Sequence, residues 1–293
     1  MLARGITVAI VLCLACGPLA GPAPAQVHAD HVFLVVIDGC APRYLERLEV
    51  PNVRSLMGAG AYTLRAVTVE PSLTLPAMAS MTSGLPVRRH NVDWDDWRPQ
   101  MGPMKVSSVF TEARRAGLRC AGFVGPRKLE HLAPEGVFDV FYSFGQTDQV
   151  IMDAAIEHLR DPNQRTALYL IHLPDSEAAG LRYGWGSIQY MNAVLEADRQ
   201  LGRLLTAINR LGLSTRSAMV LTSDHGGEAD RHDVNVETIM RVPWIVAGVG
   251  VRQDYPIPET VRVYDTAPTI MRLLGLDAPE TWEGEVPERA LVY

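Results

Sequence analysis

Cysteine is scarce in this chain, and the scarcity excludes a fold built on disulfides. Of its 4 cysteines, Cys13 and Cys16 fall in the apolar N-terminal stretch, which leaves Cys40 and Cys120. One pair in 293 residues is no framework; a single bond and two buried thiols both stay open. Excess basic charge is missing too: 27 Lys and Arg face 33 Asp and Glu, for a net charge of −6. Such a chain lacks the electrostatic footprint of a nucleic-acid binder, so no nucleic acid polymer is expected as a partner. After residue 25 no run is apolar enough to span a bilayer, and there is no internal repeat or low-complexity segment.

What is present begins with a leader. Residues 1–25 carry Arg4, an apolar stretch from Ile6 to Leu14, and Ala23-Pro24-Ala25 before Gln26. That is the layout of a secretory signal with an A-x-A cleavage site. Cys16 follows Cys13-Leu14-Ala15, a poor lipidation sequence. The expectation is an exported protein, periplasmic or secreted, whose processed chain of about 270 residues suits one large α/β domain or two small ones.

The most informative stretch is residues 32–39. A β-favouring apolar run stops on Asp38-Gly39, as a parallel strand covered on both faces would. A strand-end aspartate can simply cap the next helix. A second strand built alike, residues 218–222 running into Ser223-Asp224-His225-Gly226-Gly227, adds oxygen and imidazole donors suited to zinc or manganese. Between and around them strands alternate with helices. Helical spacing covers 52–61, 106–116, 149–160, 188–211 and 266–274; strand runs cover 118–124, 167–173 and 242–247. The predicted class is α/β, a mostly parallel central sheet with helices on both faces. In such a sheet the carboxyl ends share one edge, so Asp38, Asp175 with Glu177, Asp224-His225 and the loop leading to Val242 can meet. Thr74, two residues before Pro76, falls near a helix start, where free N–H groups and the positive dipole end welcome an anion. A metal-bound hydroxyl there is an activated nucleophile; alone, it is an N-cap threonine. His131, His158 and His172 lie outside any ligand pattern, although His172 at a strand end could reach the site.

In order and spacing these segments resemble the alkaline phosphatase superfamily, in its type I phosphodiesterase/nucleotide pyrophosphatase branch. The resemblance rests on Val35-Val-Ile-Asp38-Gly39, on Pro51-Asn52 through Leu56 to Gly60, and on Pro71-x-x-Thr74-x-Pro76 through Thr82-Ser83-Gly84. It continues through Ser223 to Gly227, His232 before Val242-Pro243-Trp244, and Asp265-Thr-Ala-Pro268 to Gly275. It covers nearly all of residues 26–293 and implies an alkaline phosphatase-like domain, with a small cap within 85–149. It also implies one tightly held zinc ion, or manganese, on Asp38, Thr74, Asp224 and His225, with Thr74 as the nucleophile.

The departures from the family are local. Its second metal takes an Asp, a His four residues on, and a distant His. Here those places hold Glu177 (with Asp175 nearby as a substitute), Leu181 and His232, so the second site lacks a donor. The family's phosphate-holding asparagine is replaced by Asp95, in Asp93-Trp94-Asp95-Asp96-Trp97; Asp95 would face a phosphoryl oxygen or serve as an extra ligand. The implied function is an exported metal-dependent phosphoric ester hydrolase of small phosphorylated substrates, with weakened or altered activity. Two alternatives accompany it: an inactive member that binds metal, phosphate or a partner, and a transferase using the same threonyl adduct.

Overall fold

The computed structural model describes residues 28–143, 145 and 147–292; the expected leader lies outside these residues. Among the described residues eight strands form one sheet: β1 His31–Ile37, β2 Gly60–Val67, β3 Arg119–Val124, β4 Val140–Ser143, β5 Thr166–Leu173, β6 Ser217–Thr222, β7 Arg241–Gly248 and β8 Tyr255–Pro256. Their order is β4-β3-β5-β1-β6-β7-β2-β8. From β4 through β6 every pairing is parallel; β7 runs against both β6 and β2. The sheet is therefore mostly parallel, as the alternation of elements predicts, with a single reversal.

That reversal matters for the site. Thr222 at the end of β6 pairs with Trp244 near the start of β7. The loop between these strands thus leaves and re-enters the sheet at the edge where β1 and β5 also end.

Side-chain alternation explains the layers. On β1, Val32, Leu34 and Val36 point to one face and join a core with Leu75, Met78, Phe110 and Ile270. Phe33, Val35 and Ile37 point to the other and join Leu45, Val53, Ile156, Leu201 and Leu204. Period-2 alternation with both sets apolar is what a strand buried on two faces requires. The long helix Ile188–Arg210 is opened by Ser187, whose hydroxyl accepts the Tyr190 amide, and it buries one stripe only. Cys40 and Cys120 are free, buried thiols in opposite cores; burial pushes each up to about 12. No helix among the described residues is long and apolar enough to cross a membrane.

Candidate metal centre and nucleophile

Asp38 directly follows β1 and is fully buried. Gly39 takes φ +66°, and a Cβ there would stand 3.2 Å from the Trp185 indole. The turn is therefore a glycine position on two counts. Its carbonyl accepts the Trp185 Nε1 hydrogen at 2.8 Å and the Tyr190 hydroxyl at 3.0 Å, which fixes the direction in which Asp38 leaves the strand. Asp224 follows β6 similarly: its Oδ1 accepts the amides of Gly39 and His225, each at 3.0 Å. One aspartate thus ties the two strand ends together and keeps Oδ2 free.

Helix Thr74–Ser83 begins at Thr74, and every residue in it is buried. Thr74 Oγ1 donates to Glu177 Oε1 at 3.3 Å. Glu177 lies in the first turns of helix Asp175–Tyr183, which starts just past β5. His232 comes from the loop between β6 and β7, with Nε2 3.3 Å from Glu177 Oε1. The rings of His225 and His232 stack at 4.0 Å, tilted by only 2°. Their Nδ1 atoms are engaged, His225 with the Gly226 carbonyl at 2.8 Å and His232 with the Ser72 carbonyl at 2.9 Å. That leaves both Nε2 atoms turned to the carboxylates, the arrangement that orients metal-binding imidazoles.

The donors form two trios, Asp38–His172–Asp224 and Glu177–His225–His232, with donor atoms in each within 4.8 Å of one another. His225 Nε2 stands between them, 3.5 Å from Asp38 Oδ1, 3.4 Å from Asp224 Oδ2 and 3.7 Å from Glu177 Oε1. Ligands about 2.0–2.1 Å from a tetrahedral zinc lie about 3.3 Å apart, so these spacings suit a cation. A second observation agrees: both Asp38 oxygens, Asp224 Oδ2, His225 Nε2 and both His172 nitrogens are buried without a hydrogen-bond partner. Buried polar atoms are rarely left so, and carboxylates gathered with imidazoles in this way suit a cation.

The electrostatics follow from this crowding. Burial, then the Asp224 and Glu177 charges, holds the Asp38 carboxyl well above the usual range. Burial alone would lower His225, but Asp224 and Glu177 outweigh it and push the imidazole up to about 9. Glu177 is held low despite burial, by His225 first and by Lys128 and His232 as well. Burial keeps His172 down at about 4.

Of the residues singled out from sequence, Asp38, Thr74, Glu177, Asp224, His225 and His232 come together. Asp175 does not. It exchanges hydrogen bonds with Asp148: each backbone amide gives to the other's carboxylate, at 3.1 and 3.0 Å. Each of these residues opens a helix, where free amides attract carboxylates. Asp95 is near Thr74 but already engaged: its Oδ1 accepts the Leu75 amide and its Oδ2 the Lys128 ammonium, each at 2.7 Å. Two residues in the site escaped the sequence patterns. His172 pairs in register with Val36 on β1, two residues short of Asp38; only the strand-end position hinted at it. Lys128 lies in a short 3-10 turn, Arg127–Leu132, and has no motif around it.

The fold is alkaline phosphatase-like. The family model for type I phosphodiesterase/nucleotide pyrophosphatase matches residues 32–249, and the chain belongs to that family. It is 24% identical over 236 residues to rat ectonucleotide pyrophosphatase/phosphodiesterase family member 1, covering 73% of this chain and 26% of the relative. It is also 24% identical over 245 residues to the Xenopus laevis bis(5'-adenosyl)-triphosphatase enpp4, covering 77% of this chain and 53% of that protein. The chain therefore spans about a quarter to a half of these relatives. Among solved structures, murine ectonucleotide pyrophosphatase/phosphodiesterase 5 superposes with a TM-score of 0.73 at 13% identity, over 85% of this chain and 96% of that one. A phosphonate monoester hydrolase from Silicibacter pomeroyi gives 0.68 at 15% identity, over 87% and 75%.

Proposed function

We propose that this protein is an exported, metal-dependent phosphoric ester hydrolase that attacks phosphorus with the Thr74 hydroxyl. The observation that carries the reading is the position of Thr74 Oγ1, at a helix start and 3.3 Å from Glu177 Oε1, an oxygen that also lies 3.7 Å from His225 Nε2 and 3.3 Å from His232 Nε2. The relatives, an ectonucleotide pyrophosphatase/phosphodiesterase and a bis(5'-adenosyl)-triphosphatase, support small phosphorylated nucleotides as the substrate class. A variant of murine member 5 with alanine for threonine is described as inactive and was solved with AMP, which supports threonine as nucleophile. Export rests on the leader pattern of residues 1–25.

Asp38, Thr74, Asp224 and His225 are the residues that would hold one divalent ion, zinc or manganese. His172 lies beside Asp38, with Nε2 3.3 Å from its Oδ2. A bound ion of this kind supplies Lewis-acid polarisation of a phosphoryl oxygen and lowers the pKa of a coordinated hydroxyl. The protein's own part is positional. The Thr74 hydroxyl attacks in line: it gives up its proton, its oxygen bonds to phosphorus, and the ester bond breaks with its electron pair leaving on the departing oxygen as an anion. Glu177 Oε1 is the acceptor placed to take the threonine proton. Water then opens the threonyl phosphoester and restores the hydroxyl. Glu177, Leu181 and His232 give a second ion one donor fewer than the family pattern, so weak turnover limited to good leaving groups is expected.

The test is hydrolysis of bis(4-nitrophenyl) phosphate by the zinc- or manganese-loaded chain. Thr74→Ala should abolish turnover; a rate that survives this change would overturn the reading.

A further inference from the structure

An aspartate in place of the family's asparagine brings a like charge toward an anionic phosphoryl group. The structure supplies what balances it. Asp95 Oδ1 accepts the amide of Leu75, the residue after Thr74, and Asp95 Oδ2 accepts the Lys128 ammonium, both at 2.7 Å. Both oxygens are therefore committed to positioning. The Lys128 side chain is only 14% exposed, and Asp95 accepts its hydrogen bond among the described residues. An ammonium carries three donors, so this nearly buried cation has N–H groups to offer. Its field reaches the centre: burial pulls the lysine down, but Glu177, Asp38 and Asp95 outweigh it and hold it above the ordinary lysine range.

We propose that Lys128 contacts a phosphoryl oxygen of the substrate, with Asp95 as the counter-ion that aims it and fixes the start of the Thr74 helix. This rests on the hydrolase reading above and assigns the phosphoryl-holding role to a residue outside every motif of the sequence. A neutral amide donor has been exchanged for an ion pair: the aspartate turns its negative oxygens to Leu75 and Lys128, and the ammonium offers the hydrogen bond. A simple tie between the turn at Arg127–Leu132 and the loop carrying Asp95 predicts something different. In that case loss of Lys128 would loosen the protein and leave phosphate affinity alone.

The experiment uses the zinc-loaded full chain, with inorganic phosphate binding by calorimetry and turnover of bis(4-nitrophenyl) phosphate as separate readouts. Lys128→Met should weaken phosphate about ten- to a hundred-fold, the size of one lost charge-assisted hydrogen bond. The same change should raise KM for the ester. Lys128→Arg should stay within a few-fold of the parent. The decisive arm is Asp95→Asn in the Lys128→Met background: removing the unbalanced carboxylate should restore about ten-fold of the lost affinity. If Lys128→Met folds poorly, Lys128→Gln replaces it in the same series. Unchanged phosphate affinity on losing Lys128, or a double variant no better than the single one, overturns the proposal. Lys128-dependent phosphate binding without Thr74-dependent turnover would instead support it and sink the hydrolase reading.

Discussion

Asp198 and Asp38 are equally hidden, at 2% and 0% exposure, yet their surroundings are opposite. Asp198, on the long helix, accepts the amide and side-chain nitrogen of Asn52 and the amide of Val53, at 3.4, 2.8 and 2.8 Å. It stitches that helix to the start of helix Pro51–Gly58, and the helix-start amides are satisfied by its charge. Asp38 has no hydrogen-bond partner on either oxygen, and after burial the Asp224 and Glu177 charges are what hold its carboxyl above the usual range. A carboxylate that stabilises the fold is surrounded by donors. One crowded by other carboxylates without donors of its own is costly to bury, a cost that the proposed cation would relieve.

The largest effect that sharpens this contrast is on metal. Asp38→Asn should lower zinc affinity by about a hundred-fold or more, beyond the 10–100-fold typical of outer-shell changes. It should also leave the metal-free protein as stable or more stable, by about 1–2 kcal/mol. Calorimetric zinc titration and thermal melts of the stripped protein read both; a destabilised stripped variant would contradict the contrast. Asp198→Ala should do the reverse. Three donors lose their acceptor, so stability should fall by about 2–4 kcal/mol with zinc affinity unchanged, as urea unfolding and the same titration would reveal.

A pH series tests the crowding of acceptors from another side. With His225 pushed up to about 9, a cation must displace its proton to use Nε2. Neutral imidazole becomes commoner as pH rises toward that value. Zinc affinity should therefore climb by up to about ten-fold per pH unit from neutrality and flatten above it. A flat profile between neutrality and pH about 9 would show that His225 is not displaced. The smallest effect concerns the second trio. Leu181 is 46% exposed and sits one helical turn beyond Glu177, on the same face. Leu181→His with Glu177→Asp should raise the bound metal from one ion toward two, measured by elemental analysis; unchanged stoichiometry would show that this face does not reach the ion.

Much of this was legible in the sequence because the informative strands are buried on both faces. β1, β5 and β6 read as continuous apolar runs that end on charged residues, and the structure places those ends at one edge. β2 was not legible: residues 52–61 read as helix, whereas the helix stops at Gly58 and Gly60 opens a strand. That strand is only partly buried along most of its length, so it lacks the apolar run that marked the others. Gly60 is needed because a Cβ there would meet the Val246 carbonyl at 2.1 Å, a contact invisible without the partner strand. His172 was hidden for a related reason. Its neighbours Asp38 and Asp224 come from other strands, and nothing along its own strand distinguishes it from a core histidine. Asp175 misled because proximity to Glu177 in sequence said nothing of the amide at Asp148 that claims its carboxylate.

The reversed direction of β7 gives the segment from Gly226 to Met240 an architectural freedom that no other strand connection among the described residues shares. Since β6 and β7 are adjacent and joined where the chemistry sits, this segment is a plain hairpin link and not a crossover. Residues after His232 and before β7 can be lengthened, shortened or exchanged there without rethreading the sheet. Evolution, or a protein engineer, can therefore remodel this link while the floor of the centre on β1 and β6 stays fixed.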